Sequence, residues 1–169
     1  EGREKIVATA EHIGKVLGST SGPAGREYFL PTGITNDGRT IMSQLRFKDE
    51  IQDNLSLAFH EVARQTDKDA GDGTTTSIVV ACELTAEMVD KVPDLDSPAP
   101  GQASVMTLSR ELDVEKDKAL AILKTKVKPV ESLDELKHVA FTAMENREAA
   151  DIIAEAMWQA GKDAYPVLD

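Results

Sequence analysis

The run Gly71-Asp72-Gly73-Thr74-Thr75-Thr76-Ser77 decides how the rest of this chain is interpreted. Apolar residues at helical spacing follow it, so a helix is expected to begin at about Thr75. The first turn of a helix carries unpaired backbone N–H groups and a partial positive charge, and both favour a bound phosphate. Glycine has no Cβ, so the backbone at Gly71 and Gly73 can approach a ligand closely.

The side chains of this run suit the same ligand. Threonine hydroxyls can donate to phosphate oxygens, and the Asp72 carboxylate is the kind of hard oxygen ligand that Mg²⁺ prefers. The alternative is an ordinary turn with a helix cap, since Asp, Ser and Thr cap many helices. Three successive threonines weaken that alternative, because one hydroxyl is enough for a cap. A Walker A loop is excluded because no lysine follows Gly73.

Three segments in order give the chain a resemblance to a known family. Gly71–Ser77 resembles the phosphate-binding run of the chaperonins. Thr20–Gly25 resembles their Gly-Pro-Lys-Gly loop, which covers the nucleotide, and Ile34–Ile41 resembles the Asn-Asp-Gly hairpin beside it. The Asn-Asp-Gly segment and the helix pattern after residue 128 are closer to the archaeal and eukaryotic group II type than to the bacterial group I type. The bacterial group III branch is an alternative. The resemblance extends from about Glu4 to about Gly161.

The resemblance implies a role for individual residues. Asp72 would hold Mg²⁺, and Asp37 would be the catalytic carboxylate that orients the attacking water, although alone it is an ordinary turn residue. Arg147 matches a basic residue that senses the γ-phosphate. Thr20 matches a position that contacts phosphate or an associated ion such as K⁺. The positions expected to bind ATP or ADP are Thr20, Ser21, Gly22, Pro23, Asn36, Gly38, Gly71, Gly73, Thr74, Thr75, Thr76 and Arg147.

The chain departs from the family pattern in two ways. Ala24 stands where the loop usually has lysine, so a positive charge is absent unless Arg26 compensates. A complete chaperonin also continues into an apical domain and then returns to finish its other two domains. We therefore expect this chain to be a front segment, inactive as an ATPase by itself. The resemblance assigns residues 1–128 to the equatorial ATP-binding domain, 129–162 to the intermediate hinge, and 163–169 to the start of a linker.

Composition limits the alternatives. The chain has 169 residues, of which 41% are hydrophobic and only 4% aromatic, which is typical of a helical core of small aliphatic residues. Its formal net charge of −11 disfavours nucleic acid as a partner, because a phosphate backbone attracts Lys and Arg. The single cysteine, Cys82, can build neither a disulfide framework nor a zinc site, and a cytoplasmic setting is expected. No apolar run is long enough to suggest a membrane span.

Apolar spacing predicts a mostly α fold with one small β-hairpin. Six helices are expected, over residues 6–17, 51–70, 75–92, 105–127, 133–144 and 147–160. Short strands are expected at 28–30 and 33–35. Asn36-Asp37-Gly38 is predicted to be a hairpin turn, with Arg39–Ser43 as the return strand. Pro93–Gly101 is predicted to be a loop.

Three functions remain open on the sequence. The first is a subunit of an ATP-dependent chaperonin, which would assemble with other subunits into back-to-back rings and enclose unfolded polypeptides. The second is a nucleotide-binding scaffold or regulatory module of a chaperonin relative without catalysis, which the loss of the loop lysine would suit. The third, a plain helical domain with a capped turn, requires all three motif matches to be coincidences.

Overall fold

A computed structural model describes residues 1–22, 25–92, 104–144 and 146–161. Within those ranges the chain divides into two units, Glu1–Leu112 and Asp113–Asp169, which we describe separately. The predictions for Pro23, for the 93–101 loop and for the 163–169 linker lie outside the described residues. The helices and strands are, in order, α1 (Gly2–Gly18), β1 (Tyr28–Leu30), β2 (Gly33–Thr35), α2 (Gly38–Gln44), α3 (Glu50–Ala70), α4 (Thr74–Met88), α5 (Val105–Lys124), α6 (Leu133–Met144) and α7 (Arg147–Ala160).

Helices α1, α3 and α4 pack on one another and form the core of the first unit. Each places residues at helical spacing into that core. Spacings of three and four residues keep side chains on one face of a helix, which is why these helices can each bury a stripe. The buried stripes are Ala10, Ile13 and Leu17 in α1, Ser56, Phe59 and Ala63 in α3, and Thr74, Ile78 and Cys82 in α4.

The strands β1 and β2 pair as a hairpin, although the sequence placed the hairpin turn at Asn36-Asp37-Gly38 instead. They pair antiparallel with Leu30 opposite Gly33, so the connection is the two-residue turn Pro31-Thr32. Phe29 lies opposite Ile34, and both side chains are largely exposed. The two strands predicted at 28–30 and 33–35 are thus confirmed, with their turn at Pro31.

The prediction for the segment after β2 is wrong. Asn36-Asp37-Gly38 is not a hairpin turn, and Arg39–Ser43 is not a return strand but part of α2. The physical reason lies in two adjacent side chains, Ile41 and Met42, which are both buried. Successive side chains of a strand point to opposite faces, whereas in a helix both can face one core. Helix α2 buries them by packing on α3 and α4.

The second unit contains a helical pair, α6 and α7, together with most of α5. Ala150 and Ala154 of α7 are fully buried, and Lys137 of α6 forms an ion pair with Glu155 of α7 at 2.6 Å. The hydrogen bond from Lys137 to Glu155 raises the pKa of that lysine. Asn146 caps α7 by accepting from the N–H of Ala149, and Gly161 ends the helix, as predicted.

Five of the six predicted helices have nearly the bounds expected, and α4 ends at Met88 rather than near residue 92. The mostly helical fold class with one small hairpin is confirmed. None of the described helices combines the length and the apolar character needed to span a bilayer.

Candidate functional site

The candidate site begins at the turn between α3 and α4. Gly71 ends α3 in the left-handed conformation (φ 70°), and its N–H donates to the carbonyl of Asp67. Gly73, which precedes α4, is also left-handed (φ 79°). Such φ values are strained for any residue with a Cβ, so this three-residue turn requires glycine on both sides of Asp72. A Cβ added at either glycine would meet no atom within 4 Å, so the backbone there faces open space.

The first turn of α4 presents backbone N–H groups without a capping side chain. The N–H of Ser77 makes the first bond of this helix, to the carbonyl of Gly73, so the three threonines before it have no partner within the helix. In the described residues Asp37, Asp49 and Asn146 cap α2, α3 and α7 with side-chain oxygens, whereas no side chain caps α4. We call the N–H groups of Thr74, Thr75 and Thr76 the amide cradle.

The threonines of the amide cradle differ in exposure. The Thr74 side chain is buried, Thr75 is partly buried and Thr76 is exposed. Asp72 is exposed, and its Oδ1 accepts from the N–H of Gly73 at 2.6 Å. The carboxylate is therefore held at the turn that leads into the cradle while it remains open to solvent.

The start of α2 lies against the amide cradle. Gly38, the first residue of α2, is buried, and a Cβ built on it would lie 2.5 Å from Oγ1 of Thr75 and 3.1 Å from its Cα. The Thr75 hydroxyl can rotate away from such a Cβ, but the backbone contact is tighter than real Cβ atoms usually make, so glycine favours this approach. Asp37 immediately precedes Gly38, which places the second predicted carboxylate at the junction of α2 and α4.

Asp37 caps α2. Its Oδ2 accepts from the N–H of Thr40 at 2.8 Å and from the Thr40 hydroxyl at 2.5 Å. The N–H of Asp37 donates to Oγ1 of Thr35 at 3.1 Å, and its carbonyl accepts from the N–H of Ile41. The residue is exposed, yet both its backbone and one carboxylate oxygen are fixed. Asn36, exposed just before it, connects β2 to this cap.

The loop after α1 folds back on the end of that helix. Thr20 is buried, and both its N–H and its hydroxyl donate to the carbonyl of Leu17. Its hydroxyl hydrogen is thus used in a cap. Ser21 and Gly22 are exposed, and Gly22 is left-handed (φ 81°) with open space where a Cβ would be. Gly25 comes so close to the carbonyl of Thr20 that a side chain there would overlap it.

The structure therefore brings some of the predicted residues together at one junction. The junction of α2 and α4 unites Asp37 and Gly38 with the amide cradle and its glycine turn. Thr20, Ser21 and Gly22 lie in a separate loop of the same unit. Arg147 is the exposed first residue of α7, in the second unit. Its role remains a prediction.

The described residues offer few side chains that could hold a metal ion at the site. Among the described residues, no three His, Cys, Asp or Glu side chains converge on a metal-sized site. A Mg²⁺ ion held by one or two carboxylates with water and phosphate oxygens as its other ligands is compatible with this arrangement. Burial raises the pKa of the Cys82 thiol to about 12, so this thiol of α4 serves only in core packing.

Two contacts near the site were not anticipated from the sequence. One is the pair of hydrogen bonds from Thr40 to Asp37, for which the spacing Asp-x-x-Thr before a helix would have been a signal. The other is the ion pair between Arg39 and Asp67 at 2.6 Å, which ties α2 to the last turns of α3. These two residues are far apart along the chain, and no local pattern connects them.

Comparison with known proteins gives two findings. The model of the TCP-1/cpn60 chaperonin family matches residues 13–167. Two crystal structures of the chaperonin gp146 from the bacteriophage EL 2 (Pseudomonas aeruginosa), both determined in the presence of ATP-BeFx, match the whole chain at 25% identity, with TM-scores of 0.76 and 0.73. The chain spans 30% of the length of that phage protein.

Proposed function

The chain belongs to the TCP-1/cpn60 chaperonin family, and from this premise we propose that it is the nucleotide-binding front segment of an ATP-driven chaperonin subunit. The observation that carries the proposal is the junction of α2 and α4. There the uncapped amide cradle, the left-handed glycine turn and Asp37, whose carboxylate caps α2, meet at one place. The phage relative was crystallised with a nucleotide analogue, which supports a nucleotide as the ligand.

The amide cradle would bind the phosphates. Its N–H groups point along the helix axis away from α4 and carry partial positive charge, so they can donate to phosphate oxygens. The open space over Gly71 and Gly73 lets a phosphate come close to the backbone. In this proposal the exposed Ser21 and Gly22, with Thr20, Pro23, Asn36 and Arg147, complete the nucleotide contacts.

Two carboxylates beside a triphosphate repel it unless a cation lies between them. The exposed Asp72 would hold Mg²⁺, which when bound supplies that neutralisation. Asp37 would orient the attacking water. Phosphoryl transfer depends mainly on positioning and on charge stabilisation, so no covalent nucleophile is needed. K⁺ is an additional ion compatible with the phosphate loop.

The broader function follows from the family. We propose that the subunit assembles with copies of itself or with related subunits in the cytoplasm, and that nucleotide turnover drives the folding of unfolded polypeptides in a ring cavity. Residues 1–128 would form the first part of the equatorial domain, and 129–162 the first part of the hinge. The group II type remains our assignment, with the group III branch as the alternative.

One observation favours a second candidate. Ala24 replaces the lysine expected in the loop after α1, which removes a positive charge that could contact nucleotide. A nucleotide-binding scaffold or regulatory module without catalysis would tolerate that loss. The two candidates differ in turnover, since both predict binding.

The proposal is tested with the longest form of the protein that contains this chain. Asp72→Ala should abolish Mg²⁺-dependent ATP binding measured by calorimetry, whereas Asp37→Ala should slow hydrolysis more than it weakens binding. The exposed Asp113 of α5, which is not among the predicted site residues, provides a control as Asp113→Ala. Unchanged affinity in Asp72→Ala would contradict the metal assignment. Binding without turnover in the parent protein would favour the scaffold.

A further inference from the structure

Thr40 makes two hydrogen bonds to the side chain that caps its helix, as Thr107 does with Ser104 at the start of α5, but here the cap is a carboxylate with a second oxygen. A helix cap needs one acceptor for a backbone N–H of the first turn. Asp49 and Asn146 meet that need by accepting from backbone N–H groups of α3 and α7. Asp37 accepts the N–H of Thr40 and also its hydroxyl, so the same residue donates twice to the same carboxylate oxygen.

Both donors use Oδ2 of Asp37, and their distances are 2.8 Å and 2.5 Å. A hydroxyl at this distance from a carboxylate is a charge-assisted bond, which is stronger than a neutral one. Within the described residues Oδ1 takes part in no hydrogen bond. The two oxygens are thus divided, with Oδ2 fixed to α2 and Oδ1 left for another partner.

The backbone around Asp37 is fixed as well. Its N–H is bonded to Thr35 and its carbonyl to Ile41, while Gly38 holds the start of α2 against Thr75. The remaining freedom of Asp37 is the rotation of its side chain. The two bonds from Thr40 remove that freedom, so the carboxylate has one orientation relative to the amide cradle.

We propose that Thr40 is a positioning residue for ATP hydrolysis, whose hydroxyl fixes Oδ2 of Asp37 so that Oδ1 can orient the attacking water. This inference rests on the proposed function, because it requires Asp37 to act in hydrolysis. A group that must align a water gains most from being held in place before the reaction, since reorientation then costs nothing at the barrier. Thr40 itself does not contact the reacting atoms.

The test uses Thr40→Val, which keeps the shape and the backbone N–H and removes only the hydroxyl. In the longest form of the protein that contains this chain, kcat for ATP should fall about tenfold while KM stays within about twofold. Thr40→Ser restores the hydroxyl and should return kcat to within about twofold of the parent. Thr85→Val is the matched control, because it deletes a helical hydroxyl bond, to Ala81, nearly three turns of α4 beyond the amide cradle.

Thermal unfolding accompanies each measurement, and Thr40→Ala serves as a second variant should valine disturb α2. Parent-like kcat in both Val and Ala variants, or a loss that serine does not restore, would overturn the role of Thr40. So would a rise in KM at unchanged kcat, which marks lost binding rather than lost orientation. Asp37→Ala separates the proposed role of Asp37 in hydrolysis from the proposed positioning role of Thr40. If it turns over at the parent rate, the proposed function of Asp37 fails; if it is slow while Thr40→Val is normal, only the present inference fails.

Discussion

At the scale of single residues, Gly38 is the position in the site that leaves the least space for a side chain. Its Cα lies against the backbone of Thr75, at the first turn of α4, and neither helix can yield without moving its packed side chains. Ile41 and Met42, one turn farther along α2, are buried in the core and hold that helix in place. A methyl group at position 38 would therefore push the start of α2, and Asp37 with it, a few tenths of an ångström from the amide cradle.

We expect Gly38→Ala to displace the start of α2 from α4 and to lower kcat for ATP by at least about tenfold, because a small misplacement of a reacting group is costly. Overpacking should also lower the free energy of unfolding by about 1–3 kcal/mol. Steady-state hydrolysis and urea denaturation measure the two effects. Gly18→Ala is the control, since its Cβ would make only an ordinary contact, 3.8 Å from Val79. Parent-like kcat in Gly38→Ala would show that this contact does not position Asp37.

The sequence predicted the chemistry of the residues better than their contacts. The glycines at 71 and 73 were expected to let the backbone approach a ligand, and both are left-handed beside open space. Thr20 was expected to contact phosphate or an associated ion, and nothing in the sequence indicated that its hydroxyl also donates to Leu17. Short hydroxyl side chains can bond either to a ligand or to a nearby carbonyl, and the sequence does not distinguish the two.

At the scale of elements, the turn between α3 and α4 depends on Gly71. This residue ends α3 at a φ of 70°. Gly71→Ala should lower the free energy of unfolding by about 1–2 kcal/mol, because a Cβ in the left-handed region contacts the following carbonyl. Gly71→Asn should cost less, since asparagine tolerates this region better. Urea denaturation of the chain provides the comparison, and equal losses for the two variants would argue against backbone strain as the cause.

The start of α3 carries the clearest pH dependence. Asp49 caps the helix and accepts a hydrogen bond from Lys5 at 2.6 Å, and that bond, with the backbone N–H groups, lowers the pKa of its carboxyl. A lowered folded-state pKa means that the stabilisation is present above the ordinary carboxyl pKa. It is lost as the pH falls through the lower, folded-state value.

Asp49→Ala should therefore lower the midpoint of thermal unfolding at pH 7, and its difference from the parent should narrow between about pH 5 and pH 3. Lys5→Met, which removes only the partner, should reproduce part of this effect. Scanning calorimetry over that pH range is the measurement. A difference that stays constant with pH would mean that the ionised carboxylate is not what stabilises the helix.

Helices were predicted correctly where the apolar pattern was long, and the prediction failed where the pattern was short. The helices α3 and α7 have long amphipathic patterns with caps at both ends, and their bounds were nearly as expected. The segment 39–43 offered five residues that suit a strand or a helix equally, and a preceding Asn-Asp-Gly favoured a turn. Tertiary packing of Ile41 and Met42 decided the outcome, and that information is not local.

At the scale of the whole molecule, helix α5 differs from the long helices α1, α3 and α4. In the part of the chain that the structure describes, none of its residues is buried, although several of them are large and apolar. Such a helix gains little stability from packing, and an isolated helix is marginal in water. The chain also spans only 30% of its phage relative. We therefore expect α5 to be more stable within a longer protein.

The last prediction compares the isolated chain with that longer protein. Because phosphoryl transfer depends on positioning, an incomplete site should bind Mg²⁺-ATP but turn it over at less than about one hundredth of the rate of the longer form. A ligand that binds only the folded state raises its unfolding midpoint, so a Mg²⁺-ATP shift in the isolated chain that Asp72→Ala abolishes would locate binding in these residues. Phosphate release by the same samples measures turnover. Equal rates per site in both forms would show that α2, α4 and their glycine turn suffice for hydrolysis, and the need for further segments would then be refuted.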